Sequence, residues 1–196
     1  MTQPGFTGIA TAAAKLFLSR GYRSVSLRDL AAELGIKAAS LYHHCPGGKA
    51  ELYVRSLGMF LEGHADRVLK SRGRAAFPES LVRMAIFTIG ENHVDLRRIV
   101  HSDLPNLPPE KQAELSECLH EAVLRPFVEV FDSAKEESKV RKGLDSSLAA
   151  ACVLAIADNL GDLHLPAARP PSQSELEAAQ GAVRLGVRLL LEGTQV

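Results

Sequence analysis

Between Gly35 and Leu52 the chain reads GIKAASLYHHCPGGKAEL, which gathers a tyrosine, two adjacent histidines, a thiol and a Gly-Gly-Lys turn. Three chemistries suit such a set: a metal or nucleophile site, a phosphate-cradling loop, or the polar face of a helix laid against nucleic acid. The phosphate loop fails on spacing. It needs a glycine five positions before Gly48 and a hydroxyl after Lys49, where this chain has His43 and Ala50. His43, His44 and Cys45 are poor joint metal ligands, because adjacent helical residues point about 100° apart. Ser40 and His44 are one helical turn apart, but no third group orients the imidazole and no oxyanion donors are apparent, so a hydrolytic dyad is unsupported.

A helix surface accounts for more of these residues. On a helix from Ala38, Leu41 and Cys45 extend the apolar face of Leu30, Leu34 and Ile36, while Ala38, Ala39, Tyr42 and His43 turn outward together. The two alanines would let a helix backbone approach the floor of a major groove, leaving Ser40, Tyr42, His43 and His44 to reach bases or phosphates. Lys49 falls where the next helix starts, so its ammonium adds to the positive end of that helix and makes a phosphate clamp.

The flanking elements must hold this helix in place. Helical spacing recurs throughout the sequence and nothing alternates convincingly with period two, which predicts an all-α fold. A first helix runs from about Pro4 or Thr7 to Arg20, burying Ile9, Ala13, Leu16 and Phe17, and stops at Gly21. A second starts after Ser26, with Asp29 completing a near variant of the capping box and Val25 and Leu30 a hydrophobic staple. Gly35 turns the chain into the third helix, about Ala38 to His44. Three helices with a tight turn before the last form a helix-turn-helix of the DNA-binding kind.

The pieces AAAKLFLSRGYRSVSLRDLAAELGI and SLYHHCPGGKAEL resemble the N-terminal signature of the tetracycline-repressor (TetR) family of transcription regulators over Ile9–Leu52. The resemblance implies phosphate contacts by Tyr42, His44 and Lys49, base reading by Lys37, Ala38, Ala39 and His43, and phosphate-binding hydroxyls at Ser26 and Ser40. Three positions depart from the family pattern. Lys37 stands where Ser or Thr usually caps the recognition helix, Cys45 stands where phenylalanine is usual, and the turn before Lys49 is one residue longer.

Farther along, a long helix is expected from Lys49 to about Lys70, with breaks at SRGRAAFPES and HSDLPNLPPE and an apolar helix over Leu81–Gly90 between them. A helix from Pro108 or Pro109 to about Ala134 should kink at Pro126. KEESKVRKG reads as a solvated connection. Two small-residue-rich amphipathic helices follow, about Leu144–Leu163 and Ser174–Glu192. They suit a two-fold, four-helix dimer face, for which Leu148, Cys152, Ala155, Ala182, Leu185 and Leu189 are candidates. A dimer would present two recognition helices to the half-sites of a palindrome.

An effector cavity is expected among the middle helices. Its apolar wall would come from Phe60, Leu61, Met84, Phe87, Leu119, Val123 and Phe127, and its polar anchors from Arg97, Arg98, His101 and Asn159. The resemblance implies that a small-molecule effector relieves repression by favouring a conformation whose heads are wrongly spaced for DNA. The expected domains are therefore a DNA-binding head, residues 1–56, and an effector-binding and dimerisation body, residues 57–196.

Composition agrees with this division. The 196-residue chain has zero formal charge, but residues 1–56 carry seven Lys/Arg against three carboxylates, a net +4 that leaves −4 for the remainder. Cys45, Cys118 and Cys152 form no CxxC pair, so neither a disulfide framework nor a structural zinc site is expected, and a reducing cytoplasm fits. His64, His93, His101, His120 and His164 are scattered rather than clustered as ligands. No cofactor motif, catalytic constellation, export signal or membrane association is apparent. The longest unbroken apolar run, Leu148–Ala157, is about half of what a membrane-spanning helix needs. A helical small-molecule-binding or enzymatic protein that keeps the fold without binding an operator is the main rival reading, and a protein-interaction module is a third.

Overall fold

In the computed structural model the described residues are 5–90, 95–166 and 171–194, and among them every extended element is helical. The Pro4 start for the first helix and His93 lie outside the described residues. Helix α1 spans Phe6–Arg20, α2 Leu27–Glu33, α3 Ala38–His44 and α4 Gly48–Leu61. The end of α1 and the start of α2 have local causes. Gly21 leaves α1 at φ 78° while its N–H bonds to Phe17 O. At the start of α2 both halves of the capping box form: Ser26 Oγ accepts from Asp29 N, and Asp29 accepts from Ser26 N.

The long helix expected over 49–70 is interrupted. α4 ends at Leu61, Gly63 adopts φ 68°, and α5 spans His64–Ser71. Tyr53, Leu57, Phe60, Leu61 and His64 keep helical spacing across the break, but the left-handed glycine ends the hydrogen-bond ladder. The HSDLPNLPPE stretch also differs from expectation. α7, Leu96–Arg98, runs on into a π-helical turn, Ile99–Asp103, and a 3-10 turn, Leu104–Asn106, before α8 begins at Pro109–Leu119.

The described residues up to Glu62 and the segment Asp95–Leu119 form one compact unit. In it α1 packs on α4, α4 on α8 and α2 on α3. Its core holds Phe17, Leu30, Leu41, Leu52, Tyr53 and Leu57, with Ile99 and Leu115 from the second segment, all essentially without solvent contact. On the transfer scale each such side chain contributes roughly 1.5–3 kcal/mol.

The second unit comprises α5, α6 (Glu79–Thr88), the π-helical turn His120–Leu124, α9 (Arg125–Glu136), α10 (Ser146–His164) and α11 (Gln173–Glu192). The distortion expected at Pro126 takes the form of that π turn just before it. A proline has no N–H to donate and its ring crowds the preceding turn. The 137–145 connection is solvated except at Val140 and Leu144, which are buried. α10 packs on α11, α9 and α6. Glycines allow tight packing here: a Cβ on Gly161 of α10 would sit 2.9 Å from Ile89 Cγ2, and one on Gly186 of α11 would sit 2.7 Å from Leu160 Cδ1. Glu79 at the start of α6 receives Arg184 at 2.7 Å and Arg188 at 2.8 Å. Among the described residues α10 alone is long and apolar enough to cross a membrane, but seven of its residues are buried against neighbouring helices, as in a core helix.

Candidate nucleic-acid interface

α3 follows α2 through a turn in which Gly35 takes φ 63°, with Gly35 N bonded to Ala32 O and Ile36 N to Ala31 O. Leu41 and Cys45 plug the helix into the core, and burial pushes the Cys45 thiol up from its ordinary pKa, the opposite of what a reactive cysteine requires. The outward face carries Lys37, Ala39, Tyr42 and His43, all exposed, flanked by the half-buried Ala38, Ser40 and His44. Tyr42 is 54% exposed, an unusual position for a tyrosine ring that has no protein cover to gain.

Lys37 occupies the N-cap of α3 and makes no side-chain cap bond, while its backbone carbonyl accepts Ser40 N at 2.9 Å. The other end is better secured. Arg55 Nη1 donates to His44 O at 3.0 Å and to Glu51 Oε1 at 3.0 Å, and its guanidinium lies 3.7 Å from the Phe6 ring centre. Glu51 Oε2 accepts Gly47 N at 2.7 Å, fixing the turn between α3 and α4. Phe6 also approaches the His44 ring, 6.4 Å between centres. A phenylalanine, an arginine and a glutamate thus hold the C-terminal end of α3 and the turn after it in place.

Ser26 and Lys49 lie outside α3. Ser26 Oγ is the acceptor for Asp29 N at 3.1 Å. Bonds to the Asp29 carboxyl from the Ser26 side chain and then the Ser26 backbone N–H hold it below its usual pKa. Lys49 is in the first turn of α4, and its Nζ lies 4.3 Å from the centre of the Tyr22 ring. Burial lowers the lysine's pKa from its ordinary value, and the Asp103 and Asp29 charges oppose that shift.

Several of these partners were not apparent in the sequence. Glu51 and Arg55, four apart on one helix, could have been found as an ion pair. Tyr22 and Phe6 had no comparable signal. The effector candidates divide between the units: Phe60, Leu61, Arg97, Arg98, His101 and Leu119 are in the first, and Met84, Phe87, Val123, Phe127 and Asn159 in the second. Met84 and Phe127 are fully buried, and Phe87 approaches the buried His64 ring at 6.4 Å. Arg98 is committed to the end of α1, donating to Leu18 O at 2.7 Å. Asn159 is exposed and donates to Ala155 O along its own helix. Among the described residues no group of three or more His, Cys, Asp or Glu could hold a metal ion.

Residues 9–55 match the model for the family described as bacterial regulatory proteins, tetR family. No protein with a curated description matches the sequence. Among solved structures, the chain is similar to the TetR family transcriptional regulator PfmR from Thermus thermophilus, with 25% identity, TM-score 0.64, and 92% of this chain and 97% of that one covered. The FadR regulator from Bacillus subtilis, solved with stearoyl-CoA, shares the fold at TM-score 0.68 and 15% identity over 93% and 98% of the two chains. The fatty acid degradation regulator FadR from Bacillus halodurans does so at TM-score 0.71 and 16% identity over 98% and 97%. The head, residues 9–55, thus matches the TetR family of bacterial regulatory proteins, and along nearly the whole length the chain has the fold of solved TetR-family transcriptional regulators.

Proposed function

We propose that the chain is a homodimeric repressor that binds a palindromic operator through α3 and releases it when its body takes up a small-molecule effector. Residues 1–56 carry DNA recognition and residues 57–196 carry effector binding and dimerisation. The observation that carries this reading is the exposed α3 face, where Tyr42, His43 and Lys37 project beside small alanines in a head of net charge +4. Ala38 and Ala39 allow close groove approach, Lys37 and His43 read base edges, and Ser26, Ser40, Tyr42, His44 and Lys49 take phosphates.

The outward faces of α10 and α11 support the dimer. Leu148 is 64% exposed and Leu185 and Leu189 are each 61% exposed, with Ala155 exposed and Cys152 and Ala182 half-buried beside them. Leucines left this open on two neighbouring helices gain most by pairing with the same face of a second copy. A lipophilic effector suits the apolar side chains Met84, Phe87, Val123 and Phe127 of the body. The stearoyl-CoA bound to the Bacillus subtilis relative makes a long-chain acyl-CoA the first probe. The chain works by binding rather than turnover, in the cytoplasm where its DNA lies.

The test is binding of the purified full chain to DNA from its own upstream region over a salt series, beside Tyr42→Ala and Lys49→Ala. Specific binding by the wild type, with weaker binding and a salt slope shallower by about one for Lys49→Ala, supports the reading. Variants indistinguishable from wild type, or no specific binding at all, would count against it. Release by an acyl-CoA then tests the effector class.

A further inference from the structure

Asp103 lies outside the DNA-facing set, far along the sequence, and its carboxylate is buried in the first unit at 3% exposure. A carboxylate removed from water needs firm partners, and this one has them. Oδ1 accepts the backbone N–H of Tyr22 at 2.9 Å, Oδ2 accepts the Tyr53 hydroxyl at 2.8 Å, and Arg98 Nε stands 3.8 Å from Oδ2. Gly21, at φ 78°, lets the chain bring the Tyr22 N–H onto the carboxylate; a Cβ there would lie 3.4 Å from Asp103 Oδ1. Arg98 meanwhile donates to Leu18 O, so the same segment also ties down the end of α1.

From the two tyrosines the contacts lead to the DNA-facing lysine. The Tyr22 and Tyr53 rings meet edge to face with centres 5.0 Å apart, and Phe17 backs Tyr53 in the same manner at 4.9 Å. The Lys49 ammonium sits 4.3 Å from the Tyr22 ring centre, within cation–π range. Burial, and secondarily the Asp103 bond, push the Tyr53 hydroxyl far above its ordinary pKa, so it remains the donor to Asp103 throughout the physiological range.

We propose that Asp103 is a positioning residue for Lys49: by fixing the Tyr22 backbone and the Tyr53 ring, it holds in place the aromatic face on which the Lys49 ammonium rests. The lysine is thereby ordered before DNA arrives, and less side-chain entropy is lost on binding. The inference rests on the reading of Lys49 as a phosphate contact, but its structural half is independent of DNA.

Two measurements separate the halves. In full-length protein labelled with ε-13C lysine, the Lys49 Hε resonance, identified with Lys49→Arg, should be displaced upfield by the Tyr22 ring. Tyr22→Leu and Asp103→Ala should return it to the value of a solvated lysine. If Asp103→Ala does not fold, Asp103→Asn, which keeps one acceptor, and Tyr53→Phe, which keeps the ring, should each move the resonance part of the way. A Lys49 resonance unmoved by every folded Asp103 and Tyr53 variant overturns the proposal. In a double-mutant cycle on specific DNA, Asp103→Asn should weaken binding by about three- to tenfold in the wild-type background and leave it nearly unchanged in Lys49→Ala. Equal losses in both backgrounds would show that Asp103 does not act through Lys49, and also overturn it. If the wild type binds no DNA, the operator reading has failed, and the resonance alone decides whether Asp103 positions the lysine.

Discussion

Two surfaces of this molecule are left open, and they differ in kind. The face of α3 offers an exposed tyrosine, a histidine, a lysine and small alanines, and the helix behind it is held by an arginine that caps its last carbonyl. The outward face of α10 and α11 offers Leu148, Leu163, Leu185 and Leu189, with Leu163 the most exposed at 75%. A polar face over a basic head gains from a polyanion whose condensed counterions it can release. An apolar face gains from a surface as apolar as itself, and its own copy is the simplest one available. On the proposed reading one face supplies specificity and the other the second half-site, so each should fail in a different way.

The largest effect should come from the apolar face. Leu185→Glu with Leu189→Glu should give folded monomers by analytical ultracentrifugation and lower operator affinity by about a hundredfold or more, because two linked heads bind with high effective concentration. A variant that remains dimeric would remove that face from the comparison. On the polar face, Tyr42→Ala should cost about tenfold in DNA affinity while leaving the thermal midpoint and the dimer unchanged, since the side chain is exposed. A smaller effect separates the interiors. Burial, then the Arg67 charge, hold the buried His64 below its ordinary imidazole pKa of about 6.5. The unfolded chain therefore takes up a proton that the folded body resists, so stability should fall as pH drops below about 6.5. Urea midpoints at acid and neutral pH should show this fall, and His64→Gln should flatten it. The smallest change, Ser26→Ala, should cost the head about 1 kcal/mol through loss of the α2 cap, read as a lower thermal midpoint.

How much of this could be read in advance depends on the distance between partners in the chain. The α1 stop at Gly21, the Ser26–Asp29 box and the inward Leu41 and Cys45 each depend on residues within one or two turns, and all were legible. The Ser172–Glu175 capping box of α11 carries the same kind of local signal, and it starts the helix at Gln173, one residue before the expected Ser174. The break at Gly63 was hidden by apolar spacing that runs on through it, and the glycine alone did not outweigh the pattern. Asp103 was out of reach for a different reason. Its bond to Tyr22 spans 81 residues, and nothing in the local sequence around either residue indicates the other. The segment 95–119 therefore read as part of the body although it packs with the head.

The most direct test of this division between two faces is selection of binding sites from a random DNA pool by the full-length protein, repeated with the Leu185→Glu, Leu189→Glu variant. The wild type should enrich an inverted repeat whose half-sites are spaced by about one helical turn, ~34 Å, or a multiple of it. The variant should enrich at most a single half-site. Wild-type selection of one unrepeated element, or of no sequence at all, would contradict the division.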